Sequence, residues 1–216
     1  MNKNFIYLSL SLLLFTTSVS AQYKKYKFGI GISPQQSWIR PVSDPLKGSG
    51  PVSGFSWEVI GELNLTKYQS LVSGLNLLFN GGKYQYSNST GDYSRKLALK
   101  SIEIPITIKA KTFTNDKLCL FAQAGLGQTF LMSAKTTDDH NRTSMTDTNA
   151  KAAFLRESLI VGGGLEYSLD AGVTLGASLL FDNGFTNVLK GNIMTGSSEK
   201  QKGFINTIGL SLYALL

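Results

Sequence analysis

Cysteine is almost absent from the chain: Cys119 is the only one in 216 residues. No intramolecular disulfide or redox pair can form, and an exported lone thiol belongs at a packed or lipid-facing position. Histidine is as scarce. His140 stands alone in Asp138-Asp139-His140-Asn141. Imidazole and carboxylate are ordinary metal ligands, but no second histidine or cysteine completes a transition-metal set. The same scarcity leaves no recognisable base beside a serine or water for nucleophilic catalysis. The expectation is therefore a non-enzymatic chain with no catalytic, metal-binding or cofactor-binding residues. Long apolar runs are missing too, once the first residues are set aside. Leu118 to Ala134 carries no charge, yet it contains Gln123, Gln128, Gly125 and Gly127 and falls short of the roughly 20 residues a spanning helix needs. Gly162-Gly163-Gly164 does not open a helix after a strand, so it is no phosphate loop. Mean hydropathy is balanced, and charged residues make up only 16 % of the chain. On totals alone the protein could pass for a soluble one.

What is present begins with the first 21 residues. Lys3 gives a positive start, Phe5 to Phe15 is apolar apart from serines, and Val19-Ser20-Ala21 ends the stretch in small residues. That layout is a secretory signal peptide, cut after Ala21. Residues 1–21 are thus expected to be removed and 22–216 to form one domain. Loss of Lys3 leaves 20 basic against 14 acidic residues, a mature charge of +6.

The mature chain alternates with a period of two, the signature of strands rather than helices. In Ile102-Glu103-Ile104-Pro105-Ile106-Thr107-Ile108-Lys109 the isoleucines share one face, and Glu103, Thr107 and Lys109 share the other. Phe55, Trp57, Val59, Gly61, Leu63 and Leu65 alternate with Ser56, Glu58, Ile60, Glu62, Asn64 and Thr66, and Val173, Leu175, Ala177, Leu179 and Phe181 alternate with Thr174, Gly176, Ser178, Leu180 and Asp182. Eight such segments lie near 27–39, 54–66, 69–86, 95–111, 118–133, 153–167, 172–184 and 203–216. Their connections alternate in length. Long ones fall at 40–53, 87–94, 134–152 and 185–202; short ones fall at Thr66 to Gln69, at Thr112 to Lys117 and around Asp170-Ala171-Gly172. Bacterial outer-membrane barrels have even strand numbers, short periplasmic turns and longer external loops, and only closure removes strand edges that hydrocarbon cannot satisfy. The fold expected is all-β, an eight-stranded antiparallel up-and-down transmembrane β-barrel in the cell outer membrane.

Aromatic residues fall toward the ends of these segments, as two interfacial girdles require. Tyr23, Tyr26, Phe28, Tyr68, Phe113, Tyr167 and Tyr213 lie at the short-turn end. Trp38, Phe55, Trp57, Phe79, Tyr84, Tyr93, Phe130, Phe154, Phe181, Phe185 and Phe204 lie toward the long loops.

Ser101-Ile102-Glu103-Ile104-Pro105-Ile106-Thr107-Ile108-Lys109 resembles the PorT-like family of outer-membrane β-barrel proteins, which carries a Leu/Ile-Glu-Ile-Pro strand at a similar place. Asn206-Thr207-Ile208-Gly209-Leu210-Ser211-Leu212-Tyr213 is similar to its closing strand. The resemblance implies fold and location; through the family's name-giving member it also implies a link to protein secretion. Pro105 has no amide to give a ladder, so it must sit at a bulge or cost one hydrogen bond.

The alternation turns Glu58, Glu62, Glu103, Lys109, Arg156, Glu166 and Asp182 inward. An eight-stranded interior is just wide enough to be filled by side chains, and buried charges must pair or be wetted. A salt-bridged plug is expected, with a narrow polar path for small solutes as the alternative. The basic excess has two sinks. Arg40, Lys47, Lys83, Arg95, Lys96, Lys190, Lys200 and Lys202 would meet lipopolysaccharide phosphates, while Lys24, Lys25 and Lys27 would meet periplasmic headgroups. The expected partners are outer-membrane lipid, lipopolysaccharide and envelope proteins reached through the external loops. No nucleic acid is expected in that compartment. Three functions compete: an envelope scaffold or partner-binding barrel, a narrow channel or transporter, and a soluble exported lipocalin-like ligand-binding barrel.

Overall fold

The computed structural model describes residues 25–42, 46–88, 91–140, 143–147, 152–169, 172–189 and 202–216, of which 86–88, 91–93, 138–140 and 143–147 are described in backbone only. The expected leader, Tyr23 and most of the 185–202 connection lie outside these residues. Eight strands close on themselves: β1 (Tyr26–Pro41), β3 (Val52–Asn64), β4 (Gln69–Asn88), β5 (Gly91–Phe113), β6 (Leu118–His140), β8 (Leu155–Ser168), β9 (Thr174–Gly184) and β10 (Gly203–Leu215). Each pairs antiparallel with its neighbours in chain order, and β1 pairs β10 to complete the ring. The sheet has no free edge through its girth, as a lipid-embedded sheet demands. Two further strands, β2 (Lys47–Gly48) and β7 (Thr143–Asp147), pair with the long-loop ends of β4 and β6.

The short turns are built by local chemistry. Between β5 and β6, Asn115 Oδ1 accepts from the amides of Lys117 (2.9 Å) and Leu118 (2.7 Å), the Asx turn that asparagine favours. Between β8 and β9, Gly172 adopts φ of +79°, the left-handed region open to glycine, and its amide reaches the Leu169 carbonyl. The β3–β4 turn is closed by the Leu65 and Thr66 amides on the Gln69 carbonyl, each at 3.0 Å. Both described termini lie at this same end, where Phe28 and Leu216 exchange backbone hydrogen bonds.

Alternation sorts the faces as the sequence requires. Ile30, Val59, Ile106, Ile108, Leu126 and Leu179 are exposed on the outside, while Ser37, Glu62, Thr107, Lys109, Ser158 and Ser211 are buried within. This is a sheet turned inside out relative to a soluble barrel, apolar toward its surroundings and polar toward its axis. Pro105 does not sit at a bulge. Ser73 pairs Ile106 and Asn76 pairs Glu103 without a change of register, so the proline interrupts the β4–β5 ladder locally.

Among the described residues the register shifts between β5 and β6, where Ser101 pairs Leu131 but Lys100 pairs Ser133. Met132 is the extra residue, a β-bulge. Beyond it the two strands continue further than the pattern predicts. The expected loop 87–94 is a strand extension with Asn88 paired to Gly91, and the first part of 134–152 is a hairpin in which His140 pairs Thr143. The β-branched threonines of this stretch (Thr136, Thr137, Thr143 and Thr146) suit a sheet even though they are polar.

Candidate functional site

The polar axis of the barrel holds three groups of side chains, capped at one end by apolar ones. At the short-turn end Lys109 Nζ stands between Glu62 (2.9 Å) and Glu166 (2.6 Å). Lys111 also bonds Glu62 and reaches Asn64 Oδ1 at 2.8 Å. Ser70 donates to Glu62 at 2.9 Å, and the Tyr213 hydroxyl donates to Glu166 at 2.8 Å. The Lys109 ammonium also lies 4.5 Å from the Phe121 ring centroid, a cation–π contact away from water. Lys27 adds a third inward cation at this end, donating to Thr174 at 3.1 Å.

Nearer the long loops, Arg156 bonds Asp182 at 2.6 Å and Glu103 at 3.3 Å, and its other nitrogen reaches the Ile205 carbonyl at 3.3 Å. Asn76 (3.1 Å) and Thr129 (3.2 Å) complete the set around Glu103. Glu58 belongs to neither network. It is buried, and among the described residues it accepts from Ser211 at 2.6 Å and Ser56 at 3.2 Å alone. It faces a cavity of about 90 Å³ between the two ion networks.

Glycine makes room for these groups. A Cβ at Gly176 would lie 2.2 Å from the Tyr213 ring, and one at Gly127 would lie 2.7 Å from Ser158 Oγ and 3.2 Å from Glu103 Oε2. Neither glycine is needed for its backbone freedom; each is needed for what its neighbour fills.

The long-loop mouth is closed by a different chemistry. Ile39, Tyr84, Leu97, Leu99, Ala134 and Ile205 form an apolar cluster with Leu46, Val188 and Leu189, which come from the connections. Asn187 fixes the last two. Its Oδ1 accepts from the amides of Leu189 (3.1 Å) and Gly203 (2.9 Å), and its Nδ2 donates to the Leu189 carbonyl (2.9 Å). Ala152 bridges to Leu189, so three connections meet over the axis.

All seven side chains expected to turn inward do so, and six of them form the two ion networks. Four features were not read from the sequence. Lys111 is in phase with Lys109, and that spacing could have found it. Lys27, in phase with Gly29 and Gly31, turns inward to Thr174 and not to the headgroups. Tyr213 and Tyr84, expected in the aromatic girdles, are buried and point inward, because they share the inward phase of Ser211 and of Asn80. The apolar mouth gave no signal, since its members come from distant connections. The other girdle aromatics fare better: Tyr26, Phe28, Tyr68, Phe113 and Tyr167 at one rim, and Phe55, Trp57, Phe154 and Phe185 at the other, are exposed. His140 ends β6; its side chain and those of Asp138 and Asp139 lie outside the described ones. Among the described residues no group of three or more His, Cys, Asp and Glu is spaced to hold a metal ion.

A closed antiparallel barrel with an apolar exterior, aromatic rims and a charged, filled axis defines a small outer-membrane β-barrel protein. The chain belongs to the outer membrane protein β-barrel domain family, whose pattern matches residues 20–196. No curated protein matches the sequence. Among solved structures it is similar to Neisserial surface protein A, at 12 % identity over 89 % of this chain and 97 % of that one, with a TM-score of 0.54. It is also similar to OprG from Pseudomonas aeruginosa, at 9 % identity over 91 % and 99 %, with a TM-score of 0.52. At such identities the likeness is one of fold. The family places the protein in the outer membrane, and the soluble lipocalin-like reading falls.

Proposed function

We propose that the protein is a non-enzymatic envelope component that acts by binding another envelope protein through its long-loop end. The observation that carries this reading is the closed mouth: Val188 and Leu189 are buried over an axis already filled by ion pairs. A barrel shut in this way has little to offer along its length, and rigid scaffolds concentrate recognition in their loops. The β6–β7 hairpin is the segment left to face a partner, whereas Val188 and Leu189 serve the mouth. The resemblance of the Ile102–Lys109 strand to the PorT-like family favours a partner in protein secretion.

Two subsidiary proposals accompany it. Residues 1–21 are a leader removed after Ala21, so the mature protein begins at Gln22, which intact-mass measurement of the purified protein checks. The long-loop rim contacts lipopolysaccharide phosphates. Arg40 and Lys100 support this, since both lie on the outer face above aromatic rings, 5.4 Å from Phe204 and 5.6 Å from Phe79.

The loop reading is tested by replacing residues 136–147 with a tight turn. The variant is expected to insert and remain heat-modifiable while losing a partner that cross-links to the wild type in cells. Retention of every cross-linked partner, with no envelope phenotype, overturns it.

A further inference from the structure

The charges around the central cavity do not balance. Lys109, the cation on its wall, gives its ammonium to Glu62 and Glu166 at the short-turn end. Arg156 is shared by two carboxylates, Glu103 and Asp182. Glu58 is left with hydroxyl donors alone, at a site where the side chain is 8 % exposed. The middle of the lumen thus lacks positive charge, and the surplus carboxylate opens on a space of about 90 Å³. A second, independent feature points into the same space. Gln35 Nε2, Thr107 Oγ1 and Thr207 Oγ1 are buried without a hydrogen-bond partner in the protein, and all three residues line the cavity. Buried polar atoms are nearly always satisfied, by ordered water or a ligand where protein does not serve. The two threonine hydroxyls are neutral oxygen ligands of the kind hard cations accept, alongside a carboxylate and water, and the Gln35 amide hydrogens call for an acceptor that such a water supplies.

We propose that this cavity is a binding site for one partly hydrated monovalent alkali cation, held by the Glu58 carboxylate with Thr107, Thr207 and Gln35 in its surround. The volume is well above the roughly 10–15 Å³ that one water needs, which accommodates an alkali ion with part of its hydration shell. A single carboxylate among neutral oxygens suits a singly charged ion. The ion supplies the positive charge that Arg156 and Lys109 do not, and it joins β1, β3, β5 and β10 across the axis. A cation that binds the folded barrel and not the unfolded chain stabilises it in proportion to the logarithm of its concentration.

The test uses the full mature barrel in detergent micelles, with rubidium chloride against choline chloride at equal ionic strength, choline being too bulky for the cavity. The urea-unfolding midpoint is expected to rise with rubidium concentration and stay flat in choline. Crystals grown in rubidium chloride are expected to show an anomalous peak beside the Glu58 carboxylate. Glu58→Gln is expected to remove both the peak and the rubidium dependence. Thr207→Val, which keeps the charge and removes one oxygen, is expected to shift the dependence to higher concentration. Equal midpoints in the two salts, or water alone at the site in rubidium crystals, overturn the proposal in favour of a wetted cavity with Glu58 protonated. Should Glu58→Gln fail to fold, the wild-type peak and the Thr207→Val shift still decide.

Discussion

The seven charges read from the alternation are held in place because a lone charge in a barrel of this size has nowhere else to go. Arg156 shows the consequence. Its guanidinium is buried between Glu103 and Asp182, so Arg156→Met leaves two carboxylates facing each other. Removing one partner of a buried pair costs about 3–5 kcal/mol. The expected loss in urea stability should be largely recovered in the triple variant that adds Glu103→Gln and Asp182→Asn; absence of that recovery would mean that Arg156 matters for packing instead. On the outer face the sign of the argument reverses. Ile106 is 56 % exposed and lies midway along the lipid-crossing part of β5. Ile106→Arg is expected to cost about 2–4 kcal/mol, the figure for arginine at the bilayer midplane. Refolding into vesicles monitored by urea titration measures it, and wild-type stability would place Ile106 outside the bilayer.

At the level of the strands, what the sequence hid was the end of β6. Period two runs cleanly from Cys119 to Thr129 on the inward face, and then Leu131 and Ala134 both turn inward although three positions separate them. The bulge at Met132 is the reason, and it makes a continuing strand read as a finished one near residue 133. Elsewhere the pattern was legible because one face meets lipid and the other meets charge, so each residue's chemistry reports its side. It failed where both faces are polar, in the β6–β7 hairpin, and where connections supply the core, as with Leu46 and Leu189. Deleting Met132 is expected to restore unbroken alternation without exchanging the faces, because Leu131, Ser133 and Ala134 then run in, out and in, in the register they already hold against Ser101, Lys100 and Leu99. Ala134 stays in the apolar cluster. The deletion variant should form the barrel with its protease resistance unchanged at the long-loop end. New cleavage there would mean that the bulge itself shapes the mouth.

Across the whole molecule, closure happens twice by unlike means. The eight strands close around the axis through backbone hydrogen bonds, and the axis itself is closed by ion pairs in its depth and by apolar side chains at its mouth. The two closures fail separately. Loosening the mouth admits water to Glu103 and Arg156 but does not break the Lys109–Glu62–Glu166 network at the other end, whose ammonium is bonded on both sides. Purified wild-type protein in planar bilayers is therefore expected to show no steady conductance. Val188→Ser with Leu189→Ser is expected to remain just as silent, because the second barrier is intact. Adding Lys109→Ala and Glu166→Ala, which removes an ammonium and a carboxylate from the short-turn end, is the combination expected to pass small ions. A stable open level in the wild type, or one that appears on altering the mouth alone, would show that the ion networks do not seal the axis, and would favour the channel reading over the binding one.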